Sequence, residues 1–142
     1  LAQPAARAAN VRCSAMPGVL LADPVLLRTA LVNLIGNAVK FSSDADEPCI
    51  EVNTTVDGHD VVVCVKDNGC GFPAELAPRL FEPFFRAPGA RQQGHGLGLS
   101  VARRAVEAMG GRIWAEPRAG RGAELCFRLG DVLSGASMPA PA

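Results

Sequence analysis

Two β-branched runs around Asp57-Gly58 restrict the possible folds of this chain more than any other segment. Residues 49–56 and 60–66 alternate or run apolar and are rich in Val, Ile and Thr. An Asp-Gly pair between two such runs is typical of a tight hairpin turn, because both residue types tolerate positive φ. The chain is therefore predicted to contain an antiparallel strand pair whose second strand leads directly into the glycine-rich residues 67–71.

Two amphipathic helices surround this hairpin in the sequence. The first is predicted from about Pro24 to Phe41, because Asp23 can cap its N-terminus and proline is tolerated at the first helical position. The second is predicted over 99–109, where Gly110-Gly111 ends it. Each helix has one apolar face at helical spacing; the faces comprise Leu27, Leu31, Leu34, Ile35 and Ala38 in the first helix and Leu99, Ala102, Val106 and Met109 in the second.

Shorter elements complete the predicted layout. Strands are expected at 10–14, 112–116 and 123–129, and a short helix within 73–80. The order is then strand, helix, two hairpin strands, helix and two more strands. Helices on one side of a mixed sheet make an α/β two-layer sandwich, with about three α-helices in all.

Length and charge limit the kind of protein this is. The 142 residues suit one domain with a real core. The formal net charge is zero, which argues against a broad nucleic-acid surface, and no apolar run approaches the ~20 residues that cross a bilayer. We expect 1–9 to be a linker or the end of a preceding helical domain, 10–129 the folded domain and 130–142 a flexible tail.

The five cysteines show no metal-binding or disulfide spacing. They are Cys13, Cys49, Cys64, Cys70 and Cys126. No CxxC pair occurs, and an odd number does not suit a closed disulfide framework. The expectation is reduced, mostly buried cysteines in a cytoplasmic protein.

The first helix carries a polar edge beside its apolar face. Asn33, Asn37 and Lys40 fall within a narrow arc at ~100° per residue. A carboxamide oxygen is a suitable ligand for Mg²⁺ that retains water and phosphate oxygens, and a lysine one turn away can neutralise a phosphate. The same residues could equally form an ordinary solvated face.

Two glycine motifs lie further along the chain. Asp67-Asn68-Gly69-Cys70-Gly71 follows a strand, where a carboxylate could accept a hydrogen bond from an exocyclic amine while the glycines let a flat ring approach. The alternative is a plain turn. The run 94–100, GHGLGLS, opens a helix, where exposed N–H groups and the helix dipole favour an anion. Its alternative is a flexible hinge.

Taken together in chain order, these motifs resemble a known family. Asn33 to Phe41, 67–71, 81–86 (FEPFFR) and 94–100 resemble the four nucleotide-binding boxes of the sensor histidine kinase catalytic domain. That domain belongs to the ATP-binding superfamily that includes DNA gyrase. The resemblance covers about residues 10–129 and implies a Bergerat-type ATP-binding fold.

The resemblance implies a role for each matching residue. Asp67 would bind the adenine amino group, and Gly69 and Gly71 would let the ring approach. Asn37 would ligate Mg²⁺, while Asn33 and Lys40 would contact metal-bound water or phosphate. The lid over ATP would span 87–96, with nucleotide contacts from Gly94, His95, Gly96, Leu97, Gly98 and Leu99. Arg86 would reach the γ-phosphate, and Phe81, Phe84 and Phe85 would tie the base of the lid to the core.

One position separates a kinase from a hydrolase within the superfamily. The hydrolases carry a Glu four residues before the metal-binding Asn, and Asn33 stands there in this chain. A carboxamide cannot accept a proton at neutral pH, so transfer to another nucleophile is favoured over hydrolysis. The acceptor would be a histidine on a dimerisation domain outside this chain, because neither His59 in the hairpin turn nor His95 has an acceptor's sequence context.

The resemblance also implies partners and leaves two alternatives. A response regulator would receive the phosphate, the isolated domain would be monomeric and cytoplasmic, and a membrane anchor in the parent protein stays compatible with that. The alternatives are a nucleotide-binding regulatory module without kinase activity and a serine-directed anti-sigma-type kinase.

Overall fold

A computed structural model describes residues 10–13, 22–43, 45–85, 98–118 and 122–130. Within these residues it contains five strands, two α-helices and one 3₁₀ helix. In chain order the elements are β1 (Asn10–Cys13), α1 (Pro24–Ser42), β2 (Cys49–Asp57), β3 (Asp60–Asp67), the 3₁₀ helix (Ala74–Arg79), α2 (Gly98–Ala108), β4 (Arg112–Pro117) and β5 (Ala123–Leu129).

The strands form one mixed sheet in the order β1-β2-β3-β5-β4. β1 pairs with β2 in parallel, and the other three pairings are antiparallel. Burial alternates along β3, where Val61, Val63, Val65 and Asp67 are buried. Because α1 and α2 contribute to the same buried cluster, the helices cover one face of the sheet, and the predicted two-layer α/β sandwich is confirmed.

The helix α1 begins as its sequence predicts. Asp23 Oδ1 accepts hydrogen bonds from the N–H groups of Val25 at 2.9 Å and Leu26 at 3.2 Å. These two donors have no partner inside the helix, so the cap replaces the missing bonds. Leu34 and Ala38 are buried on the predicted face, which orients the polar edge of α1 toward one end of the sheet.

The second helix ends at the predicted glycine pair. Gly110 has φ +79°, a left-handed conformation, and the Gly111 N–H donates to the Val106 carbonyl at 2.9 Å. This pattern satisfies carbonyls that the last helical turn leaves without partners. The turn carries the chain straight into β4 at the edge of the sheet.

The expectation that all cysteines are reduced is wrong for one pair. Cys64 in β3 and Cys126 in β5 form a disulfide across a sequence separation of 62 residues. They are direct partners in the antiparallel register. Sequence spacing could not reveal this, because the strands become neighbours only when the sheet forms. Cys49 and Cys70 take part in no disulfide.

The placement predicted for the aromatic motif is wrong for one of its three rings. Phe81 is buried, and Phe85 packs against the core with the Arg79 guanidinium 4.6 Å from its ring centroid. Phe84 instead is 70% exposed, at a residue whose φ of +66° lies in the left-handed region. No α-helix in the described segments has the length and apolarity needed to span a membrane.

Candidate functional site

A pocket opens where α1, α2 and the adjoining ends of β3 and β5 meet. It encloses about 310 Å³, including its open mouth, and its lining comprises Asn37, Phe41, Gly71, Phe72, Leu80, Leu99, Ala123 and Leu125. Most of these side chains are apolar, and a carboxamide lies at one side. Such an apolar cavity with few polar groups is typical of a small-molecule site.

Asp67 lies buried at the end of β3 next to this pocket. It is 1% exposed, and its register partner on β5, Ala123, is one of the residues that line the pocket. Asp67 Oδ1 accepts a hydrogen bond from the Gly69 N–H at 2.8 Å. The backbone of its own loop thus holds the carboxylate in place.

Burial raises the pKa of the Asp67 carboxyl above its usual value of 3.8. The Gly69 N–H, the charge of Arg118 and the Ala123 N–H oppose this rise, in that order, but burial prevails. Keeping a carboxylate in such surroundings is unfavourable for folding. A buried carboxyl with a raised pKa beside a pocket is typical of a functional residue.

Glycines permit close backbone packing around Asp67. A Cβ on Gly69 would lie 2.0 Å from the Phe41 carbonyl oxygen, and one on Gly122 would lie 1.9 Å from the Asp67 carbonyl oxygen. Gly122 also has φ +91°, and Gly71, with φ +71°, would bring a Cβ within 2.8 Å of the Gly122 carbonyl oxygen. Any side chain at these positions would push apart the segments that shape the pocket.

The polar edge of α1 faces this region. Asn37 lines the pocket directly. Asn33 Nδ2 donates to the Thr29 carbonyl at 2.8 Å, and its Oδ1 would lie 3.5 Å from a Cβ placed on Gly98. The first turn of α2 therefore approaches Asn33, while Lys40 is exposed further along α1.

The structure brings together most of the predicted site residues that it describes. Asn37, Gly71 and Leu99 line the pocket, with Asp67 and Gly69 directly beside it. Phe81 is buried in the core and is absent from the pocket lining given above. Arg86, Gly94, His95, Gly96 and Leu97 lie outside the described residues, so their roles remain predictions.

Sequence reasoning missed the apolar walls of the pocket and two groups that hold its base. The walls are Phe41, Phe72, Leu80, Ala123 and Leu125. Arg118 Nη1 donates to the Asp67 carbonyl at 3.0 Å. Asn68 Oδ1 accepts from the Cys49 N–H at 3.0 Å, and its Nδ2 donates to the Glu47 carbonyl at 2.9 Å. Asn68 lies inside a motif and could have been suspected, whereas nothing local marks Arg118.

This arrangement fits one kind of ligand. A flat heteroaromatic ring can occupy the apolar slot, and an exocyclic amine can donate to the buried carboxylate of Asp67. The carboxamide oxygen of Asn37 in the lining is a suitable ligand for a divalent cation bound with a charged extension of such a molecule. The fold and the pocket thus define a two-layer α/β domain built to bind a nucleotide-like molecule.

Comparison with known proteins agrees with this class. Residues 22–132 match the family described as Histidine kinase-, DNA gyrase B-, and HSP90-like ATPase. The chain is 40% identical over 129 residues to the sensor protein FixL of Bradyrhizobium diazoefficiens and 38% identical over 136 residues to the sensor protein TorS of Escherichia coli. These matches cover 87% and 95% of this chain but only 25% and 14% of the relatives.

Solved structures show the same fold. The mycobacterial sensor histidine kinase MprB superposes with a TM-score of 0.77 at 25% identity, over 85% of this chain and 82% of that one. Full-length ShkA in complex with AMPPNP superposes with a TM-score of 0.72 at 31% identity, over 94% and 26%. The chain belongs to the Histidine kinase-, DNA gyrase B-, and HSP90-like ATPase family, and within it the chain is similar to the catalytic domains of sensor histidine kinases.

Proposed function

We propose that this chain is the Mg-ATP-binding catalytic domain of a two-component sensor histidine kinase, which transfers the γ-phosphate of ATP to a histidine on a dimerisation domain outside this chain. The observation that carries the proposal is the buried Asp67 carboxylate, whose register partner Ala123 lines an apolar pocket together with the carboxamide of Asn37. Similarity to sensor kinases supports the proposal.

Adenine is the part of ATP that suits the apolar lining of the pocket and the neighbouring Asp67. Asp67 would accept the hydrogen bond of the 6-amino group, and Phe41, Phe72 and Leu80 would contact the ring. Gly69 and Gly122 keep the carboxylate and its strand in place by permitting backbone contact where a Cβ would collide. A ring without a donor at that position would leave an acceptor position of the buried carboxylate without its partner, so the site would discriminate against such a ring.

The polar edge of α1 would hold the phosphate end. Asn37 would supply an oxygen ligand to Mg²⁺, and Lys40 would place a positive charge near the phosphates. Bound Mg²⁺ supplies neutralisation of the phosphate charge that develops during transfer. Arg86 and the lid residues Gly94, His95, Gly96 and Leu97 are proposed to close over the triphosphate.

The local hydrogen bonding of α1 favours transfer over hydrolysis. Asn33 occupies the position where the hydrolases of the superfamily carry a catalytic Glu, and its Nδ2 is engaged by the Thr29 carbonyl. Its remaining oxygen accepts hydrogen bonds but cannot remove a proton from water at neutral pH. Asn33 can therefore orient water or phosphate without activating water as a nucleophile.

Further parts of the proposal concern the rest of the protein. The chain spans 12–25% of the length of the curated relatives it matches, and we propose residues 10–129 as the catalytic module, flanked by 1–9 and 130–142. The partners would be the histidine-bearing domain and a response regulator. The setting would be cytoplasmic, and the isolated module would be a monomer that contacts neither nucleic acid nor membrane.

A labelling experiment tests the function. The purified chain is incubated with γ-labelled ATP, Mg²⁺ and the histidine-bearing domain of its parent protein, and the label is followed through acid treatment. The expected result is acid-labile label on that partner. Nucleotide binding without label would instead indicate a regulatory module, and acid-stable label on serine would indicate an anti-sigma-type kinase.

A further inference from the structure

The disulfide between Cys64 and Cys126 lies on the face of the sheet that the helices do not cover. Its neighbours along β3 and β5, Val63, Val65 and Leu125 among them, are buried in the core between sheet and helices. Successive side chains of a strand point to opposite faces. The two cysteines therefore belong to the outer face, and neither takes part in the nucleotide site described above.

The pair is covalently joined where the backbones of the two strands lie close together. The Cα atoms of Cys64 and Cys126 are 4.1 Å apart, which fits the close, non-hydrogen-bonded type of antiparallel pair at about 4.5 Å. In such a pair the two residues exchange no backbone hydrogen bonds. The disulfide thus adds a link where the ladder itself provides none.

One sulfur is more accessible than the other. Cys64 is partly exposed, whereas Cys126 is 3% exposed and has Trp114 as its register partner on β4. Thiol–disulfide exchange requires a thiolate to reach one of the two sulfurs. An external thiolate can approach Cys64 Sγ, with Cys126 as the leaving group.

The same two strands carry the disulfide and the base of the pocket. Asp67 lies three positions after Cys64 along β3, and Ala123 lies three positions before Cys126 along β5, which is about 10 Å of strand in each case. Asp67 and Ala123 are register partners, and Ala123 and Leu125 line the pocket. A bond that limits separation of β3 from β5 therefore acts on the segment that presents the Asp67 carboxylate.

We propose that Cys64 and Cys126 form a thiol–disulfide exchange site for a dithiol reductant, and that its oxidation state sets the affinity of the nucleotide pocket. This inference rests on the proposed function in that it assumes ATP as the pocket's ligand. With the disulfide formed, β3 and β5 are restrained before ligand arrives, so less ordering accompanies binding and nucleotide binds more tightly.

The exchange balances with a reductant carrying two thiols. A thiolate of the reductant attacks Cys64 Sγ, a mixed disulfide forms, and Cys126 leaves as a thiolate that takes up a proton. The second thiol of the reductant then loses its proton and attacks the reductant's sulfur in the mixed disulfide. Cys64 leaves as a thiolate and is protonated. The protein gains two electrons and two protons, and the reductant departs as a cyclic disulfide.

The test compares nucleotide affinity of the full chain in its two oxidation states. One sample is oxidised and the other reduced with dithiothreitol, and each state is verified by thiol alkylation and mass. Titration with a non-hydrolysable ATP analogue and Mg²⁺ should show binding tighter by about fivefold or more in the oxidised chain, the lower end of typical coupling between sites. Equal affinities in the two verified states would overturn the proposal.

Matched variants attribute the effect to this pair. Cys64→Ala/Cys126→Ala should bind like the reduced chain under both conditions, whereas Cys49→Ser, which removes a free thiol, should keep the full response. Buffers must be free of thiophilic cations, because the Glu124 carboxylate lies within 4.8 Å of both sulfurs and the reduced trio could bind such an ion. A redox response that persists in the double variant would also overturn the proposal.

A second readout separates failure of this inference from failure of the proposed function. Hydrogen exchange of the amides in 61–67 and 123–129 requires no nucleotide. Slower exchange there in the oxidised chain is expected even if ATP does not bind. If ATP fails to bind in either state while the exchange difference is present, the proposed function fails but the restraint of the strands stands; if exchange does not differ, the inference fails.

Discussion

At the scale of single residues, Asp67 sets a conflict between stability and ligand recognition. Its carboxyl is almost fully buried and hydrogen-bonded to the Gly69 N–H, yet burial still raises its pKa. A carboxyl group whose pKa is higher in the folded than in the unfolded state stabilises the fold at low pH. That stabilisation is lost as the pH rises through the folded-state pKa. At neutral pH the folded domain therefore keeps the Asp67 carboxylate charged at the expense of folding stability.

Replacing Asp67 by Asn should abolish nucleotide binding without unfolding the domain. The amide oxygen can still accept from Gly69, which leaves the NH₂ group to face the adenine amine, so two donors would meet and at least one would be unpaired at ~1–3 kcal/mol or more. Without the buried charge, the ligand-free domain should be as stable as the parent or more stable. Calorimetric titration and thermal unfolding measure the two effects.

Asp60→Asn provides the matched control at the other end of β3. Asp60 pairs with Arg128 at 2.8 Å, far from the pocket. This variant should bind nucleotide normally. Equal affinity of the Asp67 variant and the parent would remove Asp67 from the adenine role.

Nucleotide affinity should also depend on pH through Asp67. Because the pKa of this carboxyl is raised above 3.8, acidification should protonate it at a higher pH than an ordinary aspartate. The protonated acid presents a donor as well as an acceptor, so affinity for an ATP analogue should fall in that range. Titrations across a pH series measure this, with Asp60→Asn as a control that keeps the same profile. An affinity independent of pH down to 3.8 would contradict the assignment.

At the scale of elements, α1 carries separate faces for packing and for chemistry. Asn37→Ala should leave metal-free nucleotide binding largely intact but remove its strengthening by Mg²⁺, because the proposed oxygen ligand is lost. Val32→Ala, at an exposed position of the same helix, should keep the Mg²⁺ dependence. Titrations with and without Mg²⁺ provide the comparison, and an unchanged Mg²⁺ effect in Asn37→Ala would refute the metal assignment.

Replacing glycine by alanine should destabilise the domain at Gly122 but stabilise it at Gly36. In Gly122→Ala the new Cβ would collide with the Asp67 carbonyl at a residue with φ +91°, so both stability and nucleotide affinity should fall. In Gly36→Ala the Cβ meets nothing within 4 Å, and the helical position should gain about 0.5–1 kcal/mol. Denaturant unfolding and titration of both variants check this; a Gly122→Ala chain with parental affinity would show that the pocket does not need this contact.

The elements differ in how far the sequence predicts them. Asp23 and Pro24 mark the start of α1, and Asp57-Gly58 marks the hairpin, because caps and turns act on residues close in sequence. The strand order and the Cys64–Cys126 pair depend on contacts between distant segments, which no local pattern encodes. In the site, Asp67 and Asn37 belong to recognisable motifs, whereas Ala123 and Leu125 reach the pocket only through the pairing of β5 with β3. Arg118, which follows β4, reaches the Asp67 carbonyl only in the folded sheet.

At the scale of the whole molecule, the disulfide closes the C-terminal half of the domain into one loop. It joins residues 62 apart, and the loop includes the 3₁₀ helix, α2 and β4. Closing such a loop reduces the conformational freedom of the unfolded chain, which would stabilise the fold by at most about 4 kcal/mol. The link therefore bears on global unfolding as well as on the pocket.

Reduction should accordingly lower the denaturant midpoint of the whole chain without changing its fold. Unfolding in urea, followed by circular dichroism on verified oxidised and reduced samples, measures the difference. Cys64→Ala/Cys126→Ala should show no redox-dependent shift, and Cys49→Ser should shift like the parent. Because this effect acts on the unfolded state, it should persist without nucleotide. An identical midpoint in both redox states would contradict the loop-closure argument. It would mean that the reduced, unfolded chain is as restrained as the unfolded chain with the disulfide.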